Sequence, residues 1–246
     1  MTKLFLDGRL RTGYTLGMPR RLREAPGGIV YHVLNRAVGR TKLFENADDY
    51  DAFEEVLEEA IELTGTRLLS YCVMHGHWHL LLWPREDDEL SEVMRWLTVT
   101  HTQRHHASHR TAGTGPIYQG RFRSFPVQSN EHFLTVARYV EGNAFRAKRV
   151  KRAQDWRRSS LWRRAQRDKS LASHLARWPV PRPTDWTRRV NRPLSKSALE
   201  AMRRCVDRGQ PFGSDRWITR IVRELRLEST FRPRGRPRIK TRQPTR

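Results

Sequence analysis

Two histidines, His77 and His79, stand two residues apart in the run Met74-His75-Gly76-His77-Trp78-His79-Leu80-Leu81-Leu82-Trp83. In a strand, alternate side chains share a face. His75, His77 and His79 then project to one side, and Trp78, Leu80 and Leu82 to the other. Two imidazoles so placed can bind one metal ion without large rearrangement. Later in the chain, Tyr139 and Asn143 lie one helical turn apart on the flank of an apolar stripe, with His132 and Arg146 near the same line. A tyrosine hydroxyl can attack a phosphodiester and hold the cleaved end covalently. Its ordinary pKa of about 10 means that it needs help near neutral pH. A divalent ion on two histidines polarises a phosphate and stabilises transition-state charge. The Asn143 amide oxygen can complete such an ion's shell, and Arg146 can hold a phosphate. Each half is a weak signal alone, since His-x-His triplets and tyrosines beside apolar stripes are often structural.

These groups need rigid elements. Ile29–Val38 is a β-like run bracketed by Gly27-Gly28 and Gly39. Asp48–Thr64 repeats apolar residues at helical steps, with Asn46 as a cap and an acidic first turn. Its Glu54, Glu55, Glu58, Glu59 and Glu62 read as a solvated face. Arg67–Met74 and His77–Trp83 are β-like, either a tight hairpin through His75-Gly76 or one bent strand. Asp88–His106 is amphipathic and helical, Phe122–Val127 is a short strand, and Asn130–Ala147 is a third helix. The order predicts an α+β fold: a ferredoxin-like split βαβ antiparallel sheet with helices on one face. A basic, mostly helical C-terminal extension follows. His101 and His105 sit at helix spacing, but with His106 and His109 they read more simply as solvent-facing or phosphate-contacting.

The charge pattern indicates the partner. The 246 residues carry a formal net charge of +22 and a pI near 11.3. Residues 1–92 hold 11 Lys and Arg against 16 Asp and Glu, whereas residues 93–246 hold 37 against 10. The first third reads as an ordinary folded unit and the rest as a grip on a polyanion, by default nucleic acid. Cys72 and Cys205 lack ligand-like spacing and read as reduced thiols of a cytosolic protein. No apolar run is long enough for a membrane span, and Met1–Gly17 lacks an apolar signal core. Met18 is an alternative start.

The two reactive stretches together resemble a known family. Met74–Leu81 is similar to the HUH signature of single-tyrosine transposases. So are Tyr118-Gln119-Gly120-Arg121-Phe122 and Ala137-Arg138-Tyr139-Val140-Glu141-Gly142-Asn143-Ala144-Phe145-Arg146-Ala147. The nearest resemblance is to REP-associated tyrosine transposases, over about Gly27 to Trp162. It implies Tyr139 as nucleophile and His77, His79 and Asn143 as ligands of Mg²⁺ or Mn²⁺. It further implies cutting and rejoining of single-stranded DNA near a hairpin, through a 5′-phosphotyrosine with a free 3′-OH. The sequence departs from the family at His75-Gly76, where Pro-Asn is usual, at Ala144, where Pro is usual, and at Lys148, where Gly is common. A catalytically silent, domesticated DNA-binding protein is therefore the alternative. A replication initiator or relaxase is disfavoured by the single candidate tyrosine, and a zinc hydrolase would not need Tyr139.

On this reading residues 1–26 are an N-terminal extension and 27–150 the catalytic domain. Residues 151–193 are a Trp/Arg-rich extension and linker, 194–230 a small helical accessory unit, and 231–246 a basic tail. Arg121 and Arg123 are candidate phosphate contacts near the cut. Trp156, Trp162, Trp178 and Trp186 either stack on bases or pack the helices. Arg234 and Arg236, in Pro233-Arg234-Gly235-Arg236-Pro237, resemble an AT-hook core for a narrow minor groove. The expected setting is the bacterial cytoplasm in association with the nucleoid, as a monomer or homodimer.

Overall fold

Alternation along four short strands sorts the apolar side chains onto two faces of one sheet. The computed structural model describes residues 25–166 and 173–233. The strands β1 (Val30–Arg36), β2 (Arg67–Met74), β3 (His77–Trp83) and β4 (Arg123–Val127) form an antiparallel sheet in the order β2-β3-β1-β4. The helices α1 (Ala47–Thr64) and α2 (Glu89–His109) each return the chain to a strand that is not the neighbour of the one before. This is the expected ferredoxin-like plan. Residues 1–24 and the Arg234–Arg236 motif lie outside the described residues. No described helix is long and apolar enough to cross a membrane.

Local chemistry sets the element ends. Asn46 Oδ1 accepts from the Asp49 amide at 3.0 Å while Asp49 Oδ2 accepts from the Asn46 amide at 3.3 Å, a reciprocal box at the start of α1. Gly65 ends α1 in the left-handed region at φ 68°. The hairpin reading of β2 and β3 holds, with Met74 opposite His77 and only His75-Gly76 between. Gly76 is required there because a Cβ would lie 2.9 Å from the Thr41 carbonyl oxygen.

One sheet face presents Tyr31, Val33, Tyr71, Val73, Trp78, Leu80 and Leu82 to α1 and α2. The other presents Val30, Leu34, Cys72, Leu81, Phe125 and Val127 to α3 (Glu131–Glu141), through Phe133, Val136, Ala137 and Val140. The expected single helix over 130–147 is kinked. α3 ends at Gly142, where φ −85° and ψ 8° turn the chain into the one-turn α4 (Asn143–Arg146). Glycine is a poor helix residue, and a Cβ at this bend would meet the Arg138 carbonyl oxygen at 2.9 Å.

The C-terminal extension completes this second layer. Its helices are α5 (Ser160–Gln166), α6 (Trp186–Val190), α7 (Lys196–Arg208) and α8 (Asp215–Glu224). Leu161, Trp186, Val190, Met202, Cys205 and Val206 share the α3 core. The extension also covers both sheet edges, whose unpaired backbone groups would otherwise recruit other strands. Along β2, the Val73 amide donates to the Arg158 carbonyl at 2.9 Å and the Ala176 amide to the Leu68 carbonyl at 2.8 Å. Trp156 and Trp178 donate their indole N–H groups to the Val73 and Leu69 carbonyls. Beside β4, Phe212 exchanges backbone bonds with Pro126 and Gln128. The packing reading therefore applies to Trp156, Trp178 and Trp186. Trp162 is only half-buried, with Arg157 and Arg163 each 5.3 Å from its ring centre.

Two buried carboxylates bind the layers. Glu54, expected on a solvated face, is buried: it accepts from Tyr71 at 2.9 Å, Arg158 at 2.9 Å and Arg163 at 2.8 Å. Position alone puts it outward, but the extension folds back over that flank of α1. Glu141, at the end of α3, is 0% exposed. It accepts from Ser160 Oγ at 2.6 Å, Ser70 Oγ at 3.2 Å and Trp186 Nε1 at 2.6 Å. Glu141→Ala leaves these buried donors without their acceptor, which is expected to cost about 2–4 kcal/mol in urea unfolding. A loss below about 1 kcal/mol would mean that the donors find other acceptors.

Candidate active site

β3 points His77 and His79 away from α1 and α2. Their ring centres are 5.1 Å apart with perpendicular planes. His79 is 4% exposed, and its Nδ1 is 2.9 Å from Nε2 of the buried His32 on β1, which leaves Nε2 as the nitrogen not engaged by that bond. His75 does not join them. It sits in the hairpin turn, where strand alternation has ended, with Nδ1 3.3 Å from the Tyr50 hydroxyl and its ring stacked on Trp156 at 6.0 Å.

α3 carries Tyr139 to the same place. Its ring centre is 5.8 Å from that of His79, edge to face. The Arg146 guanidinium, two turns along from Tyr139, lies over the Tyr139 ring at 4.1 Å. This cation–π contact is worth about 0.5–2 kcal/mol and fixes the ring. Asn143, 8% exposed, follows directly after the kink. His77, His79, Tyr139, Asn143 and Arg146 all line one open cavity of about 700 Å³. Leu34 and Arg36 of β1 form one wall, and Leu199, Arg203 and Val206 of α7 another.

Burial and the arginines set the electrostatics. The His77 pKa is pushed down to about 4, chiefly by burial and then by Arg36, Arg146 and His75. His79 is held well below its ordinary value by burial, then by His32, His77 and Arg146. Both imidazoles are thus neutral near pH 7, the state a metal ligand requires. Two imidazoles and an amide facing one cavity fit a divalent ion, with Asn143 bringing the oxygen donor. The Arg36, Arg146 and Arg203 charges suit a phosphate.

The other candidates lie elsewhere. Arg121 and Arg123 line an adjoining cavity that shares Leu34 and Arg36 with the first, and Arg123 is 4.0 Å from Asp207. His101, expected at the surface, is buried in the α1/α2 layer with Nδ1 2.8 Å from the Tyr118 hydroxyl. His105 and His109 stack at 4.1 Å, and His109 reaches Asp49 at 3.2 Å. Glu58 and Glu62 of α1, which lies across the sheet from His79, form another cluster of potential ligands with His174 of the extension. Both His174 nitrogens are already 2.9 Å from its carboxylates. Sequence reasoning missed His32, Arg36, Leu199, Arg203 and Val206. The first two had a signal: His32, Leu34 and Arg36 alternate along β1. Nothing in the sequence pointed α7 at this cavity.

The buried histidines make stability pH-dependent. Burial lowers His32 and His101 to about 3, and His77 to about 4, from an ordinary 6.5. The unfolded chain therefore binds protons in a range where the fold excludes them, and stability falls as pH drops below about 6.5. Unfolding free energy in urea is expected to decrease from pH 7 through 6 to 5. A flat profile would contradict the burial of neutral imidazoles.

Residues 27–143 match the family model described as transposase IS200 like. Among curated proteins, none matches the chain. One solved structure, of a REP-associated tyrosine transposase bound to a REP hairpin, is similar at 20% identity and a TM-score of 0.49, covering 72% of this chain and 93% of that one. Another, of a presumptive transposase from Deinococcus radiodurans R1, is similar at 18% identity and a TM-score of 0.35, covering 52% of this chain and 89% of that one. The family match spans β1 to Asn143 and contains every strand of the sheet and both halves of the cavity's reactive set. Over residues 27–143, this chain is similar to the IS200-like transposase family.

Proposed function

We propose that the protein is a REP-associated type of single-tyrosine nuclease and strand transferase. Its substrate is single-stranded DNA beside a hairpin, its nucleophile is Tyr139, and His77, His79 and Asn143 hold Mg²⁺ or Mn²⁺. The observation that carries this reading is the convergence of Tyr139, both imidazoles, Asn143 and Arg146 on one cavity of one chain. A silent DNA-binding protein has no need of that convergence. A monomer holds all these groups, so a second copy is not needed to bring Tyr139 to the imidazoles.

Tyr139 Oη attacks the phosphorus and the P–O3′ bond breaks. The 5′-phosphate stays on the tyrosine. The departing 3′-oxygen becomes a hydroxyl, and the tyrosine hydroxyl proton is released. Attack by a 3′-OH on the phosphotyrosine reverses these steps and rejoins a strand. When bound, the divalent ion supplies charge stabilisation at the phosphate. Arg146 keeps the Tyr139 ring oriented, and Arg36 and Arg203 bind phosphates entering from the β1 and α7 sides. Arg121 and Arg123 extend this cationic path into the adjoining cavity, and Arg234 and Arg236 add contacts to flanking duplex. The backbone contacts make binding salt-dependent.

The test uses end-labelled hairpins with single-stranded flanks, taken from DNA around the gene, with Mn²⁺ or Mg²⁺. A covalent protein–DNA adduct is expected from the wild type and none from Tyr139→Phe or with EDTA. Tight hairpin binding without any adduct would favour the silent reading, and an adduct surviving in Tyr139→Phe would mean a different nucleophile. Arg203→Ala is expected to slow single-turnover adduct formation about tenfold, for the loss of one charged contact. An unchanged rate would remove α7 from the site.

A further inference from the structure

A fully buried polar side chain ordinarily has its hydrogen bonds satisfied. His32, on β1, is 0% exposed. Its ring stacks on Phe125 at 4.7 Å and lies edge-on to Tyr139 at 6.3 Å. Its one hydrogen bond among the described residues joins Nε2 to His79 Nδ1 at 2.9 Å, while Nδ1 is buried without a partner. An aromatic hydrocarbon would fill this place without burying an unpartnered Nδ1, and what it would lose is the bond to His79. Packing therefore does not account for a histidine here, and the bond to His79 is its one polar connection.

That bond has a direction. If His79 donates from Nδ1, its Nε2 carries a lone pair and can ligate a metal. If His32 donates instead, the His79 proton sits on Nε2 and ligation is blocked. The partner of the non-ligating nitrogen thus decides whether an imidazole is a ligand.

We propose that His32 is a positioning residue for metal binding: its Nε2 accepts from His79 Nδ1, fixing the ring and the tautomer that leaves His79 Nε2 for the ion. This rests on the reading of His77 and His79 as ligands. It adds a buried β1 residue to the machinery, one that touches neither DNA nor ion.

The experiment measures Mn²⁺ affinity of the full-length protein without DNA, from the free-ion electron paramagnetic resonance signal. It compares wild type, the His77→Ala/His79→Ala double variant, His32→Phe and His32→Gln. Wild type is expected to bind and the double variant to lose binding. His32→Phe is expected to bind about 10–100-fold more weakly while remaining folded, with its circular dichroism spectrum matching that of wild type. His32→Gln, which keeps an acceptor near the Nε2 position, is expected to recover most of the affinity. Wild-type affinity in His32→Phe would overturn the proposal and leave the metal reading standing. So would a Gln variant as weak as the Phe variant. No binding by wild type, or undiminished binding by the double variant, would overturn the metal reading and His32 with it. If neither His32 variant folds, the histidine side-chain ¹H–¹⁵N spectrum of Mg²⁺-saturated wild type decides. A proton on His79 Nδ1 supports the proposal, and one on Nε2 overturns it.

Discussion

The position of Tyr139 depends on a carboxylate that faces the other way. Side chains two apart on a helix point about 200° apart. Tyr139 therefore faces the histidines while Glu141 enters the layer between sheet and extension. There it takes hydrogen bonds from β2 through Ser70, from α5 through Ser160 and from α6 through Trp186. These bonds lock the rotation of α3 and its height above the sheet. Since α3 is otherwise held by non-directional apolar packing, Glu141 supplies the directional part of the constraint. Gly142 follows at once, and its kink sets where Asn143 and Arg146 stand relative to the ring.

The same layer explains the charge distribution. The extension is strongly basic, yet part of that charge is structural. Arg158 and Arg163 meet Glu54 at the β2 edge, and Arg164 donates to the Leu69 carbonyl. The arginines on the cavity side have a different environment. Arg36 and Arg203 are exposed beside half-buried His77 and buried His79, and desolvation together with neighbouring positive charge keeps both imidazoles unprotonated. A cavity with neutral imidazoles at its floor and cations at its rim attracts phosphate without charging those imidazoles.

The extension closes both sheet edges, completes the second core and supplies a cavity wall. The match to the IS200-like family ends at Asn143, so the α7 wall with Arg203 lies outside the family-defined segment. A four-stranded sheet with helices on one face leaves the other face and two edges to be covered; here α3 and the extension share the face, and the extension covers both edges.

The strand and helix order, the α1 cap and the spacing of His77 and His79 were legible in the sequence, while the hairpin was one of two readings that it left open. Each is a local property: alternation, helical spacing and capping operate over a few residues, and β2 and β3 begin and end where those patterns do. Composition likewise separated a near-ordinary first third from a basic remainder. Tertiary structure alone decided what depends on residues far apart in the chain. It separated His75 from His77 and His79, because a two-residue turn breaks alternation at Gly76. It buried Glu54, which reads in the sequence as part of a solvated face, and His101, which reads there as one of several solvent-facing histidines although it shares the apolar face of α2. It turned tryptophans from a basic stretch into edge covers for β2, and it brought Arg36 and Arg203 to Tyr139. Burial and long-range hydrogen bonding are properties of the assembled layers, and no periodicity within one element encodes them.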